Sequence, residues 1–514
     1  MNKTILSLFL FLYAIATAVA QDTISPAVSA TRNFENDYRV YSSNPVTQPF
    51  IDSARYLNLA LGYQNKRGDN RTAQEASRAT GFSFRTDGSR RLKKYIVSGS
   101  FEYANRNSDS VAYTFRTDLS NTAPYYLYAA RKGNWKSIDY ALNGTVSRLL
   151  LNDKLVIGSN IDYVTTDSWR SNDPRPEYFS YKMNINTAVL YRLLKKHQVG
   201  LQAGLIKGSE DTRVGYQNED YRNSNQAPEY VTWLQEGYGA QNSKSFILDL
   251  TGNSIGSKWM GLYQGSFTFG GLLVTTSRTK TNSRFYSRAV QSTVGVTEPV
   301  YGSYYEDFWD AAVLWRYTSA KNIWKVWANY KNHFGHDYNN VYGGNNYIYF
   351  YESLNISPLL EHRENNVPKY ELGGSMDLNY LSRANGTNAL RASYQYLNFS
   401  AYGGYFWYVS KKAFLKTSVG LGVYIPESAA LTEVSQVTDF IENVVYRDYY
   451  YYNARATSAS FDIKYTFPFK KTYPFVQFNM YYRNIDVKPG SVATMSLPGN
   501  NRLCWQFTIG MVQL

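Results

Sequence analysis

The chain has 514 residues, a formal net charge of +14, 49 tyrosines, 10 tryptophans and a single cysteine, Cys504. One cysteine excludes an internal disulfide framework, and basic residues scattered along the chain, many in short turns, give no nucleic-acid-binding stripe. Aromatic residues reach 17% while mean hydropathy is only −0.44, which suits strands with one oily and one wet face.

The chain opens with Met1-Asn2-Lys3, an apolar run from Ile5 to about Ala16, and Ala18-Val19-Ala20 before Gln21. This order predicts a signal peptide over 1–20, cleaved after Ala20. The run is shorter than the roughly 20 residues of an anchor helix. No later segment approaches 18 consecutive apolar residues, so no helical span is predicted. Residues 21–54 read as a periplasmic N-terminal segment. Within it, Asp22-Thr23-Ile24 is similar to the box with which TonB-dependent receptors meet their energising protein, but the chain is too short for their plug domain and larger barrel.

From Arg55 onward the chain alternates with period two, the signature of strands with distinct faces. Leu57, Leu59, Leu61 and Tyr63 share a face; so do Tyr95, Val97, Phe101 and Tyr103; Ile138, Tyr140, Leu142 and Val146; and Leu155, Ile157, Ile161 and Tyr163. The clearest hairpin runs from Phe179 to Leu193, turns at Leu194-Lys195-Lys196-His197 and resumes with Val199, Leu201, Ala203 and Leu205. Later strands carry Tyr370, Leu372, Met376, Leu378 and Tyr380, then Phe461, Ile463, Tyr465 and Phe467.

Short turns near 87–93, 150–153, 194–197, 319–322, 383–388, 410–412 and 469–472 alternate with long segments near 105–134, 209–239, 281–304, 333–367 and 425–455. Long loops on one side and short turns on the other are the habit of outer-membrane barrels. Asn385-Gly386 is assigned to a short-side turn. The reading is all-β: a transmembrane antiparallel up-and-down barrel of about 16–18 strands over 55–514, with long extracellular loops. The stretch 257–280 fits one long strand or two.

The final segment, Leu503-Cys504-Trp505-Gln506-Phe507-Thr508-Ile509-Gly510-Met511-Val512-Gln513-Leu514, resembles the closing strand by which the barrel-assembly machinery recognises its clients, though it ends in Leu514 rather than an aromatic. With the Ala20-Gln21 junction and the tyrosine-rich strands, the chain resembles an uncharacterised family of outer-membrane β-barrels from Bacteroidota. That resemblance implies a bacterial outer-membrane location, with lipid and lipopolysaccharide around the barrel, and supplies no catalytic residues.

Polar residues opposite the oily faces are the candidates for a lumen wall: Asp139, Lys182, Asn184, Asn186, Arg192, Glu371, Asp377, Asp462 and Lys464. Imidazole and carboxylate suit a transition metal, so His333, His336, Asp337 and His362, all in the supposed loop 333–367, form a candidate metal set beside Glu361 and Glu364. Solvated loop residues are the plainer reading. The segment Asn172-Asp173-Pro174-Arg175-Pro176-Glu177 reads as a rigid extracellular turn. No G-x-S-x-G or H-E-x-x-H motif is present, so no enzyme and no cofactor are expected. Passage of small solutes, or support of nutrient uptake, is the preferred function. The alternative is a surface-interaction protein in which tyrosine-rich loops, Tyr347 to Tyr351 and Tyr449 to Tyr452, bind glycan, a partner protein or another outer-membrane protein.

Overall fold

The computed structural model describes residues 44–47, 55–222, 227–243, 248–287, 300–365, 367–410, 413–432, 437–486 and 497–513. The predicted signal peptide and Asp22-Thr23-Ile24 lie outside these residues. Eighteen antiparallel strands close into a barrel. In chain order the wall begins with β1 (Arg55–Arg67), β2 (Arg78–Leu92) and β3 (Tyr95–Val111). It continues through β5 (Gly133–Leu150), β6 (Leu155–Arg170), β7 (Arg175–Leu194), β8 (His197–Gly215), β11 (Asp249–Phe267), β12 (Gly270–Tyr286) and β13 (Val300–Thr318). The remaining wall strands are β14 (Asn322–Asn339), β15 (Tyr347–Glu364), β16 (Val367–Asn385), β17 (Leu390–Tyr408), β18 (Phe414–Leu431), β19 (Arg455–Thr466), β20 (Thr472–Asp486) and β21 (Asn501–Gln513). β1 pairs with β21 from Leu57 opposite Gln513 to Arg67 opposite Leu503, which closes the sheet. Three short strands stand apart from the wall: β4 (Tyr125–Tyr128), β9 (Trp233–Glu236) and β10 (Gln241–Ser243).

The oily faces point away from the barrel axis. Leu201 and Leu205 are 70% exposed, Ile255 69% and Leu421 67%. A soluble sandwich would bury these side chains; a lipid-facing wall displays them. Tyr95 and Tyr370 mark the short-turn ends of their strands on this outer face, with Tyr103 and Tyr380 toward the other rim. Amphipathic rings at both rims match two lipid–water interfaces.

Two sequence expectations change and one open alternative is decided. The supposed loop 333–367 contains β15 and the upper part of β14, leaving only 340–346 between them. Its strand was hidden because Tyr347, Tyr349 and Tyr351 face inward beside outward Ile348 and Phe350, so no oily–wet alternation is visible. The stretch 257–280 is two strands, β11 and β12, joined at Thr268-Phe269. Asn385-Gly386 turns on the long-loop side, where the Gly386 amide donates to Asn346 O at 2.7 Å.

If the outer wall faces hydrocarbon, Leu421→Arg, near the middle of β18, should cost roughly 2–4 kcal/mol of folding free energy in lipid bilayers. Equilibrium urea unfolding from liposomes measures this; at a water-exposed site the same change would shift stability by no more than about 0.5 kcal/mol.

Candidate functional site: a lumen closed at both ends

The nine candidate wall residues all project from the inner face, but they do not form one cluster. Asp139 accepts a 2.7 Å bond from the Thr166 hydroxyl and pairs with Arg106 at 2.5 Å. Asp377 accepts from the Asn355 amide on the neighbouring strand. Glu371 is buried and bonded by Lys416 Nζ at 2.6 Å. Lys182, Asn184 and Asn186 follow one another along β7, and Asn186 packs against Gly204, where a Cβ would stand 2.0 Å from its Oδ1. Arg192 lies at the short-turn end, with Arg91, Asp153 and Gln198 around a cavity of about 180 Å³. Asp462 and Lys464 line a polar chamber.

That chamber, about 680 Å³, lies against the wall formed by β17–β21 and β1–β3. Its floor, toward the short turns, is aromatic: Tyr56, Phe406, Phe414 and Phe475. Lys464 Nζ sits 4.3 Å from the centroid of Phe475, and Lys416 Nζ 5.8 Å from that of Phe406. Above the floor, Asn58 Nδ2 donates to Asp87 at 3.0 Å, Arg85 approaches the same carboxylate at 3.4 Å, and Gln477 Nε2 donates to Asp462 at 2.7 Å. Arg85, Lys416 and Lys464 stand beside Asp87, Glu102 and Asp462, so the lining carries both charges in balance. Sequence alternation reveals Asp462 and Lys464 but not Lys416, Arg85 or the aromatic floor, because only closure brings the first and last strands together.

The other half of the lumen is stopped at its short-turn end by the chain itself. Asn44-Pro45-Val46-Thr47 forms a turn in which Asn44 Oδ1 accepts the Val46 amide at 3.0 Å and Asn44 O accepts the Thr47 amide at 3.2 Å. Asn followed by Pro favours this geometry. Val46, 1% exposed, packs with Ile96, Leu149, Val156, Leu190, Leu262 and other inward apolar residues, and the Ser147 hydroxyl donates to Pro45 O. These four residues belong to the segment predicted as periplasmic, yet they lodge inside the barrel.

The long-loop end is closed by a folded lid. β4, β9 and β10 form a small sheet whose Tyr125, Leu127 and Leu234 are fully buried. They pack with Phe440, Ile441 and Val444 from the β18–β19 connection, which continues as helix α1 (Tyr446–Asn453), and with Trp135, Tyr178, Tyr304 and Tyr394 of the wall. Tyr125 Oη donates to Asp337 at 2.7 Å, and Gly302 must be glycine there because a Cβ would meet that hydroxyl at 2.1 Å. Arg116 makes two bonds to Glu210, at 2.6 and 3.0 Å, and donates to Ala123 O and Tyr125 O. The tyrosines expected on exposed loops are part of this lid: Tyr347 and Tyr349 are buried strand residues, and Tyr450 is a buried helical one. Asp173, in the proline-rich turn, accepts the Gln217 and Asn218 amides at 2.9 and 3.0 Å and so ties two rim segments together.

The four candidate metal residues do not meet. His333 faces the lumen and bonds Glu306 at 3.0 Å. His336 lies on the outer face, stacked on Tyr305. Asp337 holds the lid, and His362 sits at the opposite end of β15, bonded to Asn322 and stacked on Tyr370. Among the described residues no group of three or more His, Cys, Asp or Glu side chains is placed to hold a metal ion.

Residues 45–512 match a family of unknown function, DUF6850. The chain belongs to that family. No curated protein matches it. Among solved structures it is similar to BauA, the ferric preacinetobactin receptor from Acinetobacter baumannii (10% identity, TM-score 0.38, covering 89% of this chain and 80% of that one). It is also similar to a FadL homologue of Pseudomonas aeruginosa (10%, TM-score 0.32, 91% and 92%) and to the copper transporter OprC (7%, TM-score 0.40, 88% and 80%). These likenesses reach no further than the barrel architecture.

One lid residue sets a pH dependence. Asp448 in α1 accepts the Ala73 amide at 2.8 Å. Burial pushes its carboxyl up to about 6, although that amide, Arg383 and Arg447 pull it down. The docked lid therefore favours the protonated acid: its advantage is full below the ordinary carboxylate range and is lost as pH rises through 6. Between pH 4.5 and 7.5 docking should weaken by roughly 2 kcal/mol. Rate-corrected hydrogen exchange over 437–453 should show stronger protection at the lower pH, and Asp448→Asn should remove the difference.

Proposed function

We propose that this chain is a gated outer-membrane conduit for small polar solutes, closed at rest by its own lid and N-terminal turn. The polar chamber of about 680 Å³ inside a lipid-facing wall is the observation that carries the reading. At this strand number a barrel has room for water unless protein fills it. Protein fills both ends here, while the chamber wall keeps three cations and three carboxylates. A barrel serving only as an anchor needs neither the chamber nor the stopper, and the tyrosines that would have supported a surface-binding role are packed within the lid.

The long-loop end then faces the cell exterior and the short turns the periplasm. Residues 1–20 act as a cleaved signal peptide in a Bacteroidota host, 21–54 as the periplasmic N-terminal segment whose residues 44–47 reach into the barrel as the stopper, and β21 as the strand handed to the barrel-assembly machinery. The chain's own side chains supply the selectivity of the passage, and no enzymatic step is assigned.

Purified full-length protein in planar bilayers should open rarely. Val46→Asp places a charge in the apolar cluster and should raise the frequency of stepwise openings at least tenfold, with Lys416→Glu changing the ion preference of those steps. Silence of wild type and both variants, in protein shown to be folded, would refute a conduit.

A further inference from the structure

We propose that the outer wall over β8 and β11–β13 holds one phosphorylated glycolipid of the outer leaflet; this rests on the outer-membrane placement above but not on conduction. On β12 the outward side chains change from Leu272, Val274 and Thr276 to Arg278, Lys280, Asn282 and Arg284 toward the long-loop end. The register places Arg278 level with Trp259 on β11 and Trp309 on β13, and Lys280 level with Leu205 on β8 through Ser257. Lys207 stands one step higher on β8, opposite Ile255. Cations of this density on a lipid-facing wall are costly unless they reach an interface or an anion.

A groove leads up to them. It encloses about 520 Å³ and is floored by the small residues Ala203, Gly261 and Thr276 between ridges of Leu201, Trp259 and Trp309, with Arg278 among its lining residues. Acyl chains fit an apolar trough of this kind, and a phosphate fits the cations above it. Asp307 opposes the anion: it pairs with Arg278 at 2.5 Å and lies 4.0 Å from Lys280. Lys207, Arg278, Lys280 and Arg284 outnumber that carboxylate, and its bonds hold the Arg278 guanidinium in place at the head of the trough. A zwitterionic lipid would satisfy the trough but not the surplus positive charge. The long-loop end faces the leaflet that carries acidic glycolipid, so the anion and the chains come from one molecule.

Native mass spectrometry of the full-length protein in detergent, with lipid A or phosphatidylcholine added, tests the site. Lipid A should be retained at least tenfold more than phosphatidylcholine. The triple variant Arg278→Gln, Lys280→Gln, Arg284→Gln should lose that preference, whereas Arg148→Gln, an outer-wall cation near the short turns, should keep it. Gly261→Trp leaves the charges intact and fills the trough; a Cβ there meets only Thr276 Cγ2, at 3.5 Å, so the wall tolerates the change and retention should fall. Equal retention of both lipids, undiminished retention in the triple variant or in Gly261→Trp, or disulfide-linked dimers of Trp259→Cys in native membranes would overturn the proposal. Bilayer conductance is measured separately in phosphatidylcholine, so loss of this site and loss of the conduit are told apart.

Discussion

In hydrocarbon no water is available to a backbone amide, so each strand of a membrane sheet must find a partner on both sides. For this chain the requirement falls on the seam between β1 and β21, whose paired residues are more than 400 positions apart in sequence. Until that seam forms, two long edges stay open, each a template for misassembly. Everything else follows from closure: the outward oily belt, the enclosed lumen, and the gathering of Asn58 and Asp87 from one end of the chain with Asp462 and Gln477 from the other around one chamber.

Once closed, the barrel encloses more space than its wall side chains can fill, and the chain uses two different materials to occupy it. At the long-loop end the filling is aromatic and nearly dry, with Tyr125, Tyr128, Tyr304 and Tyr394 almost completely buried. Burying the Arg116–Glu210 pair there is tolerable because further bonds to Ala123 O and Tyr125 O occupy the guanidinium. Near the short turns the filling, among the described residues, is the turn of chain around Val46, and beside it lies the polar chamber. The wealth of tyrosine thus serves two surfaces: rings at the lipid rims and rings inside the lid.

Strand positions were legible wherever one face met lipid and the other met water, as from Phe179 to Leu205, because period two then appears directly in hydrophobicity. Legibility failed where the inner face met protein instead. Tyr347, Tyr349 and Tyr351 face inward with large aromatic rings, like the outward Phe350, so β15 and the upper part of β14 read as one loop that gathered His333, His336 and His362 into a supposed cluster. The inward direction of Asp462 and Lys464 follows from alternation, but their neighbours Lys416, Arg85 and Phe475 come from other strands, and no local pattern announces them. The Val46 turn was illegible for a simpler reason: four residues carry no period, and their burial depends wholly on strands that follow.

The position of that turn in the chain has a mechanical consequence. Nine residue steps separate Val46 from Arg55, the first residue of β1, and a fully extended chain of that length spans at most roughly 30 Å. The stopper is therefore leashed: were it to leave its seat it would stay within that reach, so its return would be a unimolecular event whose rate is independent of protein concentration.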